Sequence, residues 1–154
     1  MKLAEALTES KRLGNLIPAL LTEFNDNCVT INGVKPDRDP EKIMLKIMGT
    51  LMEKGELDRR LSFTNTMVKI PMGLTIHEAI LRKAVCKAYI NTLNSMLAYL
   101  KQGKRIGYEE RGQNIVKAFA VKPDALESER DKAAQELRTI EAQLQQVNWL
   151  EDLR

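Results

Sequence analysis

Four stretches of this chain carry apolar residues at alternating spacings of three and four, and the stretches are nearly equal in length. The first, about 2–26, reads Leu3, Ala6, Ser10, Leu13, Ile17, Leu20 and Phe24. The last, about 124–148, reads Leu126, Arg130, Ala133, Leu137, Ile140, Leu144 and Val147. A repeat near 3.5 residues lays one narrow seam along a helix. Between them, Ile43, Met44, Ile47, Met48 and Leu51 open a second helix over about 40–67, whose pattern thins around Gly55 and Asp58. A third, over about 75–102, carries Ile76, Ala79, Ile80, Cys86, Tyr89, Ile90, Leu93, Met96, Leu97 and Leu100, a face wide enough for two neighbours. Helices of about 25 residues are each about 38 Å long. Matched rods with such seams predict a mostly α chain: an antiparallel four-helix bundle, or coiled-coil hairpins, forming a single domain over 1–154.

The joints between rods are marked by residues with particular backbone preferences. Asp39-Pro40-Glu41 is a helix start: a cap, a fixed φ in the first turn, and an acid at the positive helix end. Thr75 and Glu78 have capping-box spacing. Pro71 and Gly73 mark a turn, and Asn32-Gly33 suits a tight hairpin. Val29, Ile31 and Val34 around that hairpin, and residues 115–121, predict a small β element at one end of the bundle. Pro18, helped by Gly14, predicts a kink in the first helix, with a break into two helices as the competing outcome. Trp149 is the only tryptophan and lies five residues from the end. It is expected to plug the bundle end against Val68, Ile70 or Leu74, beside a polar pair, Asn65 and Asn148.

Aromatic residues are only 5% of the 154, so Leu, Ile, Met and Ala must fill the core. Two distant cysteines, Cys28 and Cys86, argue for reduced thiols rather than a disulfide framework. Glu5 and Glu9 interrupt the first ten residues, which therefore do not read as a secretory leader, and no apolar run is long enough to span a membrane. The expected compartment is the cytoplasm. The net charge of +3 decides little, but its distribution is uneven. No acid lies between Ala79 and Tyr108, whereas residues 124–154 hold eight acids against four bases. A basic third helix beside an acidic fourth would gain modest complementarity.

Few residues suggest chemistry. His77 is the only histidine and has no nucleophile at a useful spacing. One histidine and two scattered cysteines do not make a zinc site. Asp37, Asp39 and Glu41 lack the remaining ligands of a calcium loop. The sequence thus implies no enzyme, metal or cofactor. An anion or nucleic-acid surface is the more concrete candidate, built from Arg82, Lys83, Lys87, Lys101, Lys104, Arg105 and Arg111, with Tyr108 available to stack on a base.

The pieces MKLAEAL, KPDRDPE, TNT at 64–66, GLTIHEAILRK at 73–83 and QQVNWLEDL, in that order, resemble the septicolysin-like family of small, mostly uncharacterised bacterial proteins. The family's name implies membrane lysis; the scarcity of aromatic membrane anchors argues against it. The expected function is that of a non-enzymatic helical-bundle protein that self-associates. Anion or nucleic-acid binding and cytolysis are the alternatives.

Overall fold

Asp39 accepts a hydrogen bond from the Glu41 backbone N–H at 3.0 Å, and Pro40 is the first helical residue. That start signal works as its chemistry requires. The computed structural model describes residues 1–30, 32–102 and 120–154. Four helices dominate them: α1 (Leu3–Asn27), α2 (Pro40–Met67), α3 (Ile76–Gln102) and α4 (Pro123–Leu150). The fold is all-helical and bundle-like. Pro18 sits inside a continuous α1, so the two-helix alternative is not realised, and α2 runs unbroken through Gly55 and Asp58.

The chain forms two compact units: Met1–His77 with Gln145–Arg154, and Glu78–Leu144. In the first unit α1 and α2 form an antiparallel hairpin. Ser10 pairs with Asp58, and a Cβ at Gly14 would lie 3.2 Å from the Lys54 side chain. Towards the connecting loop, Arg38 meets Glu23. The α1 seam is covered along its whole length, with Leu3, Ala6, Leu13 and Leu20 fully buried. Its one polar member, Ser10, donates to the Asp58 carboxylate at 2.5 Å, and Lys54 holds the same carboxylate. A polar group at a seam position fixes register, because sliding the helices would strand it.

The covered seam of α2 is Ile43, Ile47, Thr50, Lys54, Leu57, Leu61 and Thr64, again at alternating four and three, with Asp58 and Asn65 half-buried beside it. Met44, Met48 and Leu51, expected to share that stripe with Ile43 and Ile47, lie on the outer side instead. After α2, Gly73 N–H donates to Ile70 O, Ile70 N–H to Leu74 O, and Gly73 has φ +91°. This is a three-residue loop with Pro71 at its first position and glycine in the left-handed region. It drives Val68, Ile70 and Ile76 into the core.

In the second unit α3 and α4 are antiparallel. Cys86 meets Glu136, while Met96 and Tyr99 share a groove with Val121 and Leu126. The covered residues of α3 form a strict seam: Ala79, Lys83, Cys86, Ile90, Leu93, Leu97 and Leu100. Ile80, Leu81, Val85, Tyr89, Met96 and Tyr99 are about half exposed or more, so the wide face is covered on one side only. The expected basic–acidic pairing of α3 and α4 is present: Arg82 binds Glu136 at 2.6 Å, and Lys83 and Lys87 converge on Glu141 at 3.0 and 3.4 Å.

Among the described residues the extended pairings outside helices include two single bridges, Lys2 with Asp152 and Lys69 with Thr75. Asn32 and Gly33 both have positive φ, as the Asn-Gly turn requires, and Val29 and Val34 beside them are exposed. Ile31 and most of the expected 115–121 strand lie outside the described residues.

Candidate functional site

The two ends of the chain meet in the first unit. Leu3 N–H donates to Glu151 O at 3.1 Å, and Leu153 N–H to Met1 O at 2.9 Å. Lys2 Nζ reaches both the Leu150 carbonyl and the Asp152 carboxylate. Thr64, fully buried, donates its hydroxyl to Arg60 O at 2.8 Å and accepts the Arg154 backbone N–H at 3.0 Å. The tail is docked as expected, but the anchor differs. Trp149 is 63% exposed, while Leu153 is 8% exposed. The indole is therefore not a plug. At about 100° per residue, position 149 lies about 200° around the helix from Val147, which is buried. A residue so placed faces solvent, and the chain must leave the helix before Leu153 can turn in. Asn65 and Asn148 are half-buried on α2 and α4 of this unit.

Beside this closure lies a cleft of about 460 Å³, lined by Glu56, Arg59, Arg60, Phe63 and Arg154. Arg59 grips Glu56 with two nitrogens, at 2.8 and 2.7 Å. That contact holds the Glu56 carboxyl below its ordinary pKa and raises that of Arg59. Arg60 donates from Nε to the Arg154 main-chain oxygen at 3.2 Å. None of these residues stood out in the sequence. The adjacent pair Arg59-Arg60, with an aromatic one turn on at Phe63, was the available signal.

The basic candidates of α3 are differently disposed. Arg82, Lys83 and Lys87 are held by Glu136 and Glu141, whose carboxyl pKa values are lowered by those contacts. Lys101 is exposed in the last turn of α3. Lys104, Arg105, Tyr108 and Arg111 lie outside the described residues. Among the described residues no cluster of acids, histidine and cysteine is built to hold a metal ion.

A family of unknown function, DUF6847, has a model that matches residues 10–153. The chain belongs to this family. DUF6847 replaces the septicolysin-like assignment. The short pieces that suggested the latter are largely helix ends and turns, such as the Asp39-Pro40 start and the Gly73 turn. Such signals recur wherever helices begin and end, and so do not identify a family. The lytic implication falls with the name, and no helix of the described residues is long and apolar enough to cross a membrane. The fold of this DUF6847 chain is similar to the crystal structure of a functionally unknown conserved protein from Corynebacterium diphtheriae. The likeness has a TM-score of 0.78 at 21% identity, over 100% of this chain and 99% of that one. No curated protein matches the chain.

Two further features of the DUF6847 chain bear on function. Cys86 is buried, and burial together with the neighbouring Glu136 raises its thiol pKa. A nucleophilic cysteine needs the reverse. Met44, Leu45, Met48, Leu51 and Met52 stand 44%, 64%, 55%, 49% and 76% exposed on the outer side of α2.

Proposed function

We propose that this protein is a non-enzymatic helical protein that acts by associating with a second copy of itself through the outer face of α2. The observation behind this is the run Met44, Leu45, Met48, Leu51 and Met52. At 100° per residue these five fall within an arc of about 120° centred on Met48. Contiguous exposed apolar residues rimmed by charge mark interaction surfaces, and methionine packs adaptably against a like surface. Covering the exposed half of five such side chains is worth about 5 kcal/mol per copy at roughly 2 kcal/mol per fully buried side chain. Two copies together gain about 10 kcal/mol, comparable with the cost of about 4–15 kcal/mol for association. The affinity is then moderate and concentration-dependent.

A second copy is the occupant because the patch offers the same methionines and leucines to a like surface. Lys42 and Lys46 lie before the middle of the patch, and Glu53 lies after it on the same flank; all three are exposed. At about 100° per residue they stand about 120°, 160° and 140° around the helix from Met48, so they rim the patch rather than face a partner across it. The commitment of Arg82, Lys83 and Lys87 to carboxylates leaves the α3 anion surface without a supporting observation.

Sedimentation velocity over concentrations on the order of 1–100 μM tests the reading. The wild type should shift from monomer to dimer mass. Met48→Glu should remain a monomer with unchanged circular dichroism. A wild-type monomer throughout, or a Met48→Glu variant that still dimerises, refutes the proposed pairing.

A further inference from the structure

We infer that the cleft of Arg59, Arg60, Phe63 and Arg154 binds a small organic phosphate, with the phosphoryl group on the guanidiniums and an aromatic or apolar body against Phe63. Three arginines line one cleft of about 460 Å³, against a single acid, Glu56. Glu56 is occupied by Nε and one terminal nitrogen of Arg59. The Glu56 carboxylate also feels the Arg60 charge, though its hydrogen bonds go to Arg59. Like charges gathered this way repel, and an oxyanion relieves the repulsion while accepting paired N–H donors, the geometry a guanidinium fork presents.

The cleft is also ordered before any ligand arrives. Arg60 uses Nε on the Arg154 main-chain oxygen, and the Arg154 backbone is pinned by Thr64, which is 0% exposed. The Leu153–Met1 hydrogen bond fixes the tail that carries Arg154. A site held by its own backbone loses less freedom on binding. Phe63 is 52% exposed at the edge of the cleft, an apolar wall next to the charges. Arginine beside an exposed aromatic ring suits a ligand that is anionic at one end and flat or greasy at the other. The cleft begins at Glu56, about one turn after the apolar patch ends at Met52, and its binding test does not require the pairing of α2 faces.

Isothermal titration calorimetry of the full chain with phenyl phosphate, inorganic phosphate, benzoate and phenol tests the inference. Phenyl phosphate should bind most tightly, inorganic phosphate more weakly, and phenol not at all; benzoate binding as tightly as phenyl phosphate would overturn the assignment to phosphate. Arg60→Gln should weaken phenyl phosphate about tenfold or more. Since Arg60 also holds the tail, Arg154→Gln serves as the second variant, and it should weaken binding with no change in the thermal melt. Phe63→Leu should weaken phenyl phosphate and leave inorganic phosphate unchanged. Lys87→Gln, on α3, should change nothing. Absence of phenyl phosphate binding at low salt, or equal binding by wild type and Arg154→Gln, overturns the proposal.

Discussion

Single residues close the first unit, and they are not the ones their size would nominate. Leu153, near the end of the chain, is buried; Trp149, four residues earlier, stands in solvent. Leu153→Ala should lower stability by about 2 kcal/mol, within the usual cost of truncating a buried leucine. Trp149→Ala should change it by less than about 0.5 kcal/mol, as exposed substitutions do. Urea melts of the two variants decide between them, and the wild-type indole should emit as a solvated one. Asp58 is a second such residue. Lys54 first, then Ser10, hydrogen-bond its carboxylate and lower its pKa against a smaller opposing effect of burial. A lowered folded pKa means that the contact stabilises the fold above the ordinary carboxylate pKa. That contribution is lost as pH falls through the lowered value. Asp58→Asn should therefore lower the urea midpoint at pH ~7 and differ little from wild type at pH ~2, below the usual carboxylate range.

At the level of helices, the sequence was most readable where one stripe had one use. The seams of α1 and α4 emerge intact: α4 carries little else that is apolar, and on α1 the off-seam Leu7 and Leu21 stay about half exposed. The ends of the helices were readable too, since Asp39, Pro40 and Gly73 each do something only a few residue types can do. On α2 and α3 two apolar stripes run side by side, and periodicity does not say which of them finds a neighbour. Thus Met44 and Met48 share the helical spacing of Ile43 and Ile47 in the sequence, although they lie on the outer side of α2. The cleft arginines are illegible in the sequence for a related reason. Arg59 and Arg60 are near Arg154 only because the tail folds back, and no local pattern encodes a contact across 94 positions. The helices also contain an adjustable residue. Gly55 lies within α2, and a methyl group there would meet nothing within 4 Å. Gly55→Ala should stabilise the fold by about 0.5–1 kcal/mol through helix propensity, seen as a higher Tm.

For the molecule as a whole, the two units are unlike in how they are assembled from the chain. Residues 78–144 form one unit from a single continuous stretch, while the other takes 1–77 and 145–154 from either side of it. If the outer face of α2 pairs with a second copy, melting should also depend on protein concentration, with Tm rising as concentration rises. The bridge between Lys2 and Asp152 spans 150 positions. During synthesis from the first residue to the last, the α3–α4 hairpin has all its parts before that bridge has its second half. A ribosome halted at residue 144 would carry a chain whose Leu3 N–H has no Glu151 to meet and whose buried threonine lacks its donor from Arg154. Maturation of residues 1–77 thus waits on residues 145–154, and a frameshift just ahead of them would damage a part that was translated much earlier.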